Sequence, residues 1–418
     1  LDQLGELVVS EKEADHYMNE VLKLVKGFDL HVKKGEKNGS GIQRAHVSIK
    51  VSALASDFKP EAFDFTYDLV APRLTKILTT AKECDVFINI DAEHYHYRDV
   101  VFKIWKKVLL ETPELKDFAG TGIVVQAYLR DASDHLEDII ELAKLRALIM
   151  PVRLVKGAYW DAETVEAQAH GHNAPEFLNK EETDIHFRQI IWKIFASHPH
   201  LQLCLASHNF ADHAYAEVLR KKHFATTPEI EHQCLHMTYE ALSCAMAKLG
   251  WVVRNYVPIG SLIVGMAYLV RRIMENSSQV GVLTIMRSHK KQLSLVSPID
   301  IHKEKMKKGE LVRDVVQEAL TDKFCNIANV RQYLEKEKSP ITPFVEAKPT
   351  PRIYTNKFLA SGSNEKILSS SDPSIEVGSI LFADINDADK AVETAYTAYS
   401  RGDWAQGPWP PRSACLVK

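Results

Sequence analysis

Residues 151–161 read "PVRLVKGAYWD". The first half is a buried-strand pattern, with Val152, Leu154 and Val155 set around a single Arg153. The second half gathers Lys156, Gly157, Tyr159, Trp160 and Asp161, side chains that a buried strand does not need. A strand that ends in so much chemistry is what a parallel sheet shows when its C-terminal edge carries a site.

Working outward, runs of the same texture occur at 46–54 ("HVSIKVSAL"), 86–94 ("VFINIDAEH"), 122–130 ("GIVVQAYLR"), 202–209 ("QLCLASHN"), 231–237 ("EHQCLHM") and 252–260 ("VVRNYVPIG"). Between them, 64–83, 134–146, 183–195 and 212–222 repeat their apolar residues with a helical period, so the chain reads as successive βα units. The opening "LDQLGE" precedes a further helical segment, 11–25, and reads as the stub of an eighth strand. Eight strands with crossover helices over roughly 260 residues match the size of a (β/α)8 barrel. A doubly wound sheet is the alternative, but no GxGxxG turn follows any of these strands.

At 418 residues the chain exceeds the usual size of one domain, which predicts a large core plus something smaller. A formal net charge of -3 offers no phosphate-binding surface, so nucleic acid is not expected as a partner of this stretch. Cys84, Cys204, Cys234, Cys244, Cys325 and Cys415 form no CxxC pair, and scattered thiols fit a reducing, cytoplasmic compartment. The apolar run 257–270 is too short to span a bilayer. Leu1 is not an initiator methionine, so sequence upstream of it is expected.

In a barrel, catalytic groups sit at the C-terminal strand ends and alternate residues share a face. Ser48 and Lys50 fall on one face of their strand, Asn89 and Asp91 on one face of the next, then come Gln126 and Arg153. A Lys50–Asp91 ion pair could merely plug the barrel top, but polar residues late in four successive strands favour a site. After the last strand, "AYLVRRIMENS" (267–277) places Arg271 and Arg272 within helical reach of Glu275. An ordinary surface ion-pair helix would read alike. The apolar flank "YVPIGSLIVGMAYLV" instead favours a pair of guanidiniums for a buried carboxylate.

Taken in order, "VSIKVSAL", "INIDAE", "VVQAY", "RLVKGAYWD", "SHN", "QCLHM", "NYVPIG" and "YLVRR" with Glu275 resemble the proline dehydrogenase part of the bifunctional proline utilization A family. The resemblance covers residues 1–276. It implies a distorted barrel whose last helix lies over the mouth, and FAD held non-covalently without a Rossmann motif. It also implies oxidation of L-proline to Δ1-pyrroline-5-carboxylate, by hydride transfer from C5 to flavin N5, with a quinone taking the electrons. The catalytic set carried over is Lys50, Asp91, Arg153, Tyr159, Tyr256, Arg271 and Arg272. Lys50, Arg271 and Arg272 would hold the proline carboxylate, Leu154, Tyr159 and Tyr256 would surround its ring, and Asp91 would orient the neighbouring charges. Arg153 would face flavin N5, with Gln126, Val155, Lys156, Gly157, Ala158, Trp160, Thr183, His208, Asn209 and Glu275 as further cofactor contacts. A cytoplasmic protein, compatible with peripheral association at the inner membrane face and with homo-oligomerisation at full length, is expected.

One feature departs from that family: "DAEHYHYRD" sets His94 and His96 two apart beyond Asp91. A metal-dependent barrel hydrolase using both imidazoles, with Asp91 and His208 as further ligands, is the alternative function. No HExxH or third spaced ligand supports it, and no metal is expected.

The texture changes past Asn276. Charged helical segments lead through "SPITPFVEAKPTPR" to Pro351, so 277–352 is expected to be a helical connector and Pro-rich linker. Residues 353–418 resemble the start of an aldehyde dehydrogenase, a strand pair followed by a helix opening at Asp387, without the catalytic Cys or the NAD-binding half. NAD is therefore expected only for the remainder of such a domain, and a chain that has lost activity by truncation is a further alternative.

Overall fold

Parallel strands buried on both faces need crossover helices outside and a filled interior, and this chain supplies both. The computed structural model describes residues 1–5, 8–28, 31–170, 173–260, 265–266, 270, 297–312, 363–368, 374 and 376–401. The chain divides into two compact units, Leu1–Gln332 and Tyr333–Lys418.

In the first unit the order is β1 (Asp2–Gln3), α1 (Glu11–Gly27), β2 (His46–Ile49), α2 (Phe63–Cys84), β3 (Phe87–Ile90), α3 (Tyr95–Glu111), β4 (Thr121–Gln126), α4 (Ala132–Arg146) and β5 (Met150–Val155). There follow α5 (Trp160–His170), α6 (Lys180–Ala196), β6 (Leu201–Ala206), α7 (Phe210–His223), β7 (Glu231–Leu235), α8 (Glu240–Lys248), β8 (Val252–Tyr256), β9 (Pro258–Ile259) and α9 (Pro298–Lys308). Strand order is β8-β7-β6-β5-β4-β3-β2-β1-β9, with every pairing parallel. β8 and β9 are one strand interrupted at Val257, the first piece pairing with β7 and the second with β1. That closes the barrel. The seam tolerates Pro258 because the bonds there run from Asp2 and Leu4 N–H groups to the carbonyls of Val257 and Ile259, each 2.9 Å, and ask no N–H of the proline.

Register fixes what faces inward. Asp2 stands opposite Ser48, Ser48 opposite Asn89, Asn89 opposite Gly122, Val124 opposite Arg153, Arg153 opposite Cys204, and Gln233 opposite Arg254. The other face carries Val47, Ile49, Ile88, Ile90, Val125, Leu154 and Leu205, buried against the helices in one large core. Gly122 matters for the interior: a Cβ there would lie 2.3 Å from the Pro151 carbonyl oxygen and 2.9 Å from the Phe87 ring. Its absence lets Phe87 fill the barrel and pack with Cys204 and Ile42.

The N-terminal end of the barrel is closed by charge. Glu231, fully buried, receives Arg254 Nε at 2.8 Å and Nη2 at 2.9 Å, and also the amides of Asn38 and Gln233. Arg254 also donates to the carbonyls of Gln43 and Arg44, both at 3.0 Å. The strands are shorter than their sequence runs suggest, and some give way after the last ladder pair to a turn that keeps apolar residues buried. Residues 46–54, for instance, become β2 and a 3-10 turn at Ser52–Leu54.

After β5, the α5 helix is tied to the segment that follows it: Trp160 Nε1–H donates to the Phe177 carbonyl at 2.9 Å and the Thr164 hydroxyl to the Glu176 carboxylate. Glu176 is fully buried, and burial pushes its carboxyl up to about 7. In the second unit, β10 (Asn364–Leu368) pairs antiparallel with β11 (Glu376–Leu381), followed by α10 (Ile385–Arg401). α10 opens on a reciprocal cap in which the Asp384 and Asp387 carboxylates each accept the other's N–H. Val392 and Tyr396 on this helix are exposed. Cys415 lies outside the described residues, and the expected boundaries at 276 and 352 fall among residues that are likewise not described.

Arg254→Met strands a buried Glu231 without its cation and should cost about 3–5 kcal/mol, read as a lower urea midpoint; adding Glu231→Gln should recover most of the loss. For Glu176 the native carboxyl holds its proton to higher pH than the unfolded one, so stability is greatest below the unfolded pKa and declines as pH rises toward 7. Glu176→Gln should flatten that decline, worth up to roughly 3 kcal/mol, in denaturation curves taken between pH 4 and 8.

Candidate active site

The inward set converges on one guanidinium at the C-terminal end of the barrel. Arg153, 5% exposed, donates from Nη1 to Asp91 Oδ1 at 2.6 Å, from Nε to Gln233 Oε1 at 2.7 Å and from Nη2 to Ser48 Oγ at 3.0 Å. Its Nη2 also lies 3.4 Å from the His46 ring, whose imidazole is held neutral by burial and by Arg254 and Arg153 nearby. Asp91 is shared: Asn89 donates to Oδ1 at 3.0 Å and the Tyr256 hydroxyl to Oδ2 at 2.8 Å. The Tyr256 ring lies under the guanidinium, 5.3 Å from it, and its hydroxyl keeps its proton well above the usual range because it is buried against Asp91. Groups from four other strands thus immobilise one cation on β5.

Lys50 follows β2 beside this hub. Its nearest carboxylate is Asp2, at 3.9 Å, too far for a hydrogen bond, and its ammonium makes none to the described residues. Burial alone would lower the Lys50 pKa, but Asp2 and Asp91 together outweigh that and raise it, so the ammonium stays charged. Asp2 itself is pushed up by burial even with Lys50 near, which agrees with a long, unbonded contact rather than a tight pair. The buried Tyr17 hydroxyl of α1 accepts the Lys50 main-chain N–H at 3.0 Å and fixes where the side chain starts.

The loop after β5 supplies the other wall. Gly157 has φ +142°, and a Cβ there would run into the Tyr128 ring at 2.2 Å, so only glycine lets the turn settle on Tyr128. Gly157, Ala158 and Trp160 are exposed, Tyr159 half-buried. The Lys156 ammonium is committed to Asp184 at 2.5 Å and Asp212 at 2.9 Å, so it presents its main chain rather than its charge, the carbonyl accepting the Tyr128 N–H at 2.7 Å. Thr183 lies buried in the first turn of α6. The His208 ring accepts the Leu235 N–H at 3.0 Å, and Asn209 caps α7. Beneath that turn, His213 Nε2 bonds the Ser207 carbonyl at 2.8 Å and His213 Nδ1 meets His232 Nδ1 at 2.8 Å; His232 Nε2 in turn lies 3.2 Å from Glu217.

Leu154 does not reach the mouth. It alternates with Arg153, is fully buried, and packs outward against the helices. Arg271, Arg272 and Glu275 lie outside the described residues. His94 and His96 stack on each other, 5.7 Å apart, rather than converging on a point, and no three His, Cys, Asp or Glu side chains among the described residues are grouped to hold a metal. The hydrolase alternative is therefore unsupported. Gln233, His46, Asp2 and Tyr17 were not expected at the site; for Gln233 the signal was its parity with Leu235 at the end of its strand.

The profile of the family described as proline dehydrogenase matches residues 1–284. The bifunctional protein PutA of Escherichia coli (strain K12) is 32% identical over 289 residues, 67% of this chain and 21% of that protein. Proline dehydrogenase 1 of Bacillus subtilis (strain 168) is 29% identical over 281 residues, 67% of this chain and 79% of that protein. The chain thus spans about a fifth of the bifunctional relative's length. Among solved structures, proline utilization A from Bdellovibrio bacteriovorus inactivated by N-propargylglycine superposes with a TM-score of 0.70 at 29% identity, over 97% of this chain and 43% of that one. With a barrel closed around the Arg153 hub and a family match across most of its length, the chain belongs to the proline dehydrogenase family.

Proposed function

We propose that this chain oxidises L-proline to Δ1-pyrroline-5-carboxylate with non-covalently held FAD, the electrons passing to a quinone. The observation that carries the reading is the pairing of an immobilised cation, Arg153, with an adjacent ammonium, Lys50, that has no hydrogen-bond partner among the described residues. The first suits a group that gains negative charge during reaction, the second a substrate carboxylate.

The residues present fit a flavin. Gln126 is 4% exposed, and its side-chain amide makes no hydrogen bond to the described residues, which leaves it available to a polar ring edge. The exposed Gly157 and Ala158 main chain and the Trp160 ring offer a close-approach surface and a flat apolar face. Gln126, Arg153, the 155–158 main chain, Trp160, Thr183, His208 and Asn209 would hold the cofactor, with Glu275 assigned by resemblance alone. When bound, the flavin supplies the two-electron acceptor that no protein side chain provides.

In this reading Lys50 takes the proline carboxylate, helped by Arg271 and Arg272, while the Tyr159 and Tyr256 rings border the five-membered ring. C5 gives up a hydrogen with its electron pair and the ring nitrogen a proton, leaving the C=N bond of the product. Asp91 and Tyr256 keep Arg153 from turning toward the substrate carboxylate, so the guanidinium retains one orientation throughout. Residues 353–418 would be the beginning of an aldehyde dehydrogenase domain joined through 277–352, with NAD bound only by a longer chain. No helix among the described residues is long and apolar enough to cross a membrane. Peripheral contact with the inner face of a membrane, a cytoplasmic location and self-association remain part of the proposal.

The purified chain should be yellow, and its visible band should bleach on anaerobic addition of proline; a colourless protein that takes up no added FAD would refute the assignment. Lys50→Met should raise KM for proline on the order of 10- to 100-fold with flavin content retained. Arg153→Met, which leaves Asp91 uncompensated, should lower kcat by roughly 100-fold or more.

A further inference from the structure

We infer that His94 is a positioning residue that sets the Tyr159 wall of the substrate pocket and thereby the size of ring the pocket accepts. The inference rests on the proposed placement of proline beside Tyr159.

His94 ends the turn that leaves Asp91 and stands at the N-cap of α3, where its side chain caps nothing. Its imidazole lies instead on the Tyr159 ring, 4.2 Å between centroids and tilted by 43°. On its other side His96 stacks at 5.7 Å and 23°. His94 Nδ1 is buried and points at Glu163 Oε1, 3.4 Å away. Glu163, 4% exposed, belongs to the first turn of α5: its N–H is bonded to the Tyr159 carbonyl at 2.9 Å, and its carboxylate accepts the Tyr95 N–H at 2.7 Å. Tyr159 is thus fixed twice from α3, through its ring by His94 and through its main chain by Glu163. The Gly157 turn resting on Tyr128 fixes where the loop enters.

The imidazole touches the Tyr159 ring itself, from the rim. The Glu163 link acts on the main chain and survives loss of the imidazole. Removing that ring should leave the loop in place while letting the Tyr159 ring swing outward, which widens the pocket at the side of the substrate ring rather than at its carboxylate. The substrate class affected is the cyclic secondary amino acids, and the discriminating feature is ring size. A pocket that fits five members excludes the six-membered piperidine-2-carboxylate by about one methylene, worth roughly 10-fold or more.

The test uses the flavin-loaded full chain with His94→Ala and His94→Phe. For His94→Ala we expect KM for proline to rise about 5- to 20-fold with kcat within about threefold, and the proline preference over piperidine-2-carboxylate to shrink by about fivefold or more. The dissociation constant of tetrahydrofuran-2-carboxylate, which carries the ring and carboxylate but no oxidisable amine, should rise in parallel and reports on the pocket without turnover. His94→Phe keeps an aromatic ring against Tyr159 and should restore both constants and the preference to within about twofold of the parent. An alanine variant with unchanged binding and unchanged ring preference overturns the inference, as does rescue by His94→Gln but not by His94→Phe, which would assign the effect to the Glu163 contact. A parent protein that neither holds flavin nor oxidises proline would refute the proposed function itself, a result visible before any variant is made.

Discussion

Everything at the mouth of the barrel depends on keeping one guanidinium charged inside a protein. Moving an ion of that size out of water costs several kcal/mol after relaxation, and only close, well-aimed acceptors recover it. Arg153 finds them on β2, β3 and β7 through Ser48, Asp91 and Gln233. Because those acceptors come from strands distant in sequence, the cation can be satisfied only when the barrel has closed in the correct register. A one-residue slip of any of these strands would turn its acceptor toward the helices and leave the charge bare.

The two buried arginines of the interior show how similar parts serve different ends. Arg254 spends four of its five donors inside the protein, on both oxygens of Glu231 and on two main-chain carbonyls. Arg153 is held as firmly, yet next to it stands Lys50, whose ammonium makes no hydrogen bond to the described residues. The chemical capacity of the site therefore resides less in the cation that is fixed than in the neighbouring one that is not.

Much of the architecture was legible because strand parity and helical period are local properties. The runs around Val47, Ile88, Val125, Val152 and Leu203 announced parallel strands, and the two-residue rule correctly grouped Ser48, Asn89, Asp91 and Arg153. The same rule, applied to Leu154, would have turned it away from the mouth. What sequence could not supply was partnership at long range. Gln233 stands 80 residues from Arg153, and the charge of Lys156 has no evident partner in the sequence until Asp184 and Asp212 are brought to it by α6 and α7. The paired imidazoles of "EHYHY" suggested a metal because spacing says nothing of direction, and here the rings lie face to face. The interruption between β8 and β9 was hidden as well, since "VVRNYVPIG" reads as one strand.

The histidines under the Ser207 turn carry a last implication. A main-chain carbonyl can only accept, so the Nε2 of His213 that meets Ser207 must bear the hydrogen, and its Nδ1 is left as a lone pair. The hydrogen in the 2.8 Å contact between the rings therefore belongs to His232. Behind His232 stands the Glu217 carboxylate, 3.2 Å from its Nε2, so the chain of contacts runs from Glu217 on α7 through His232 on β7 and His213 to the loop that carries His208 and Asn209. A ring flip at either histidine would put a ring carbon where a nitrogen now meets its partner and break the contact, with both rings fully buried. The loop is thus tied through two buried imidazoles to a carboxylate on α7, so a change at any one of the three is felt at the turn that carries His208 and Asn209.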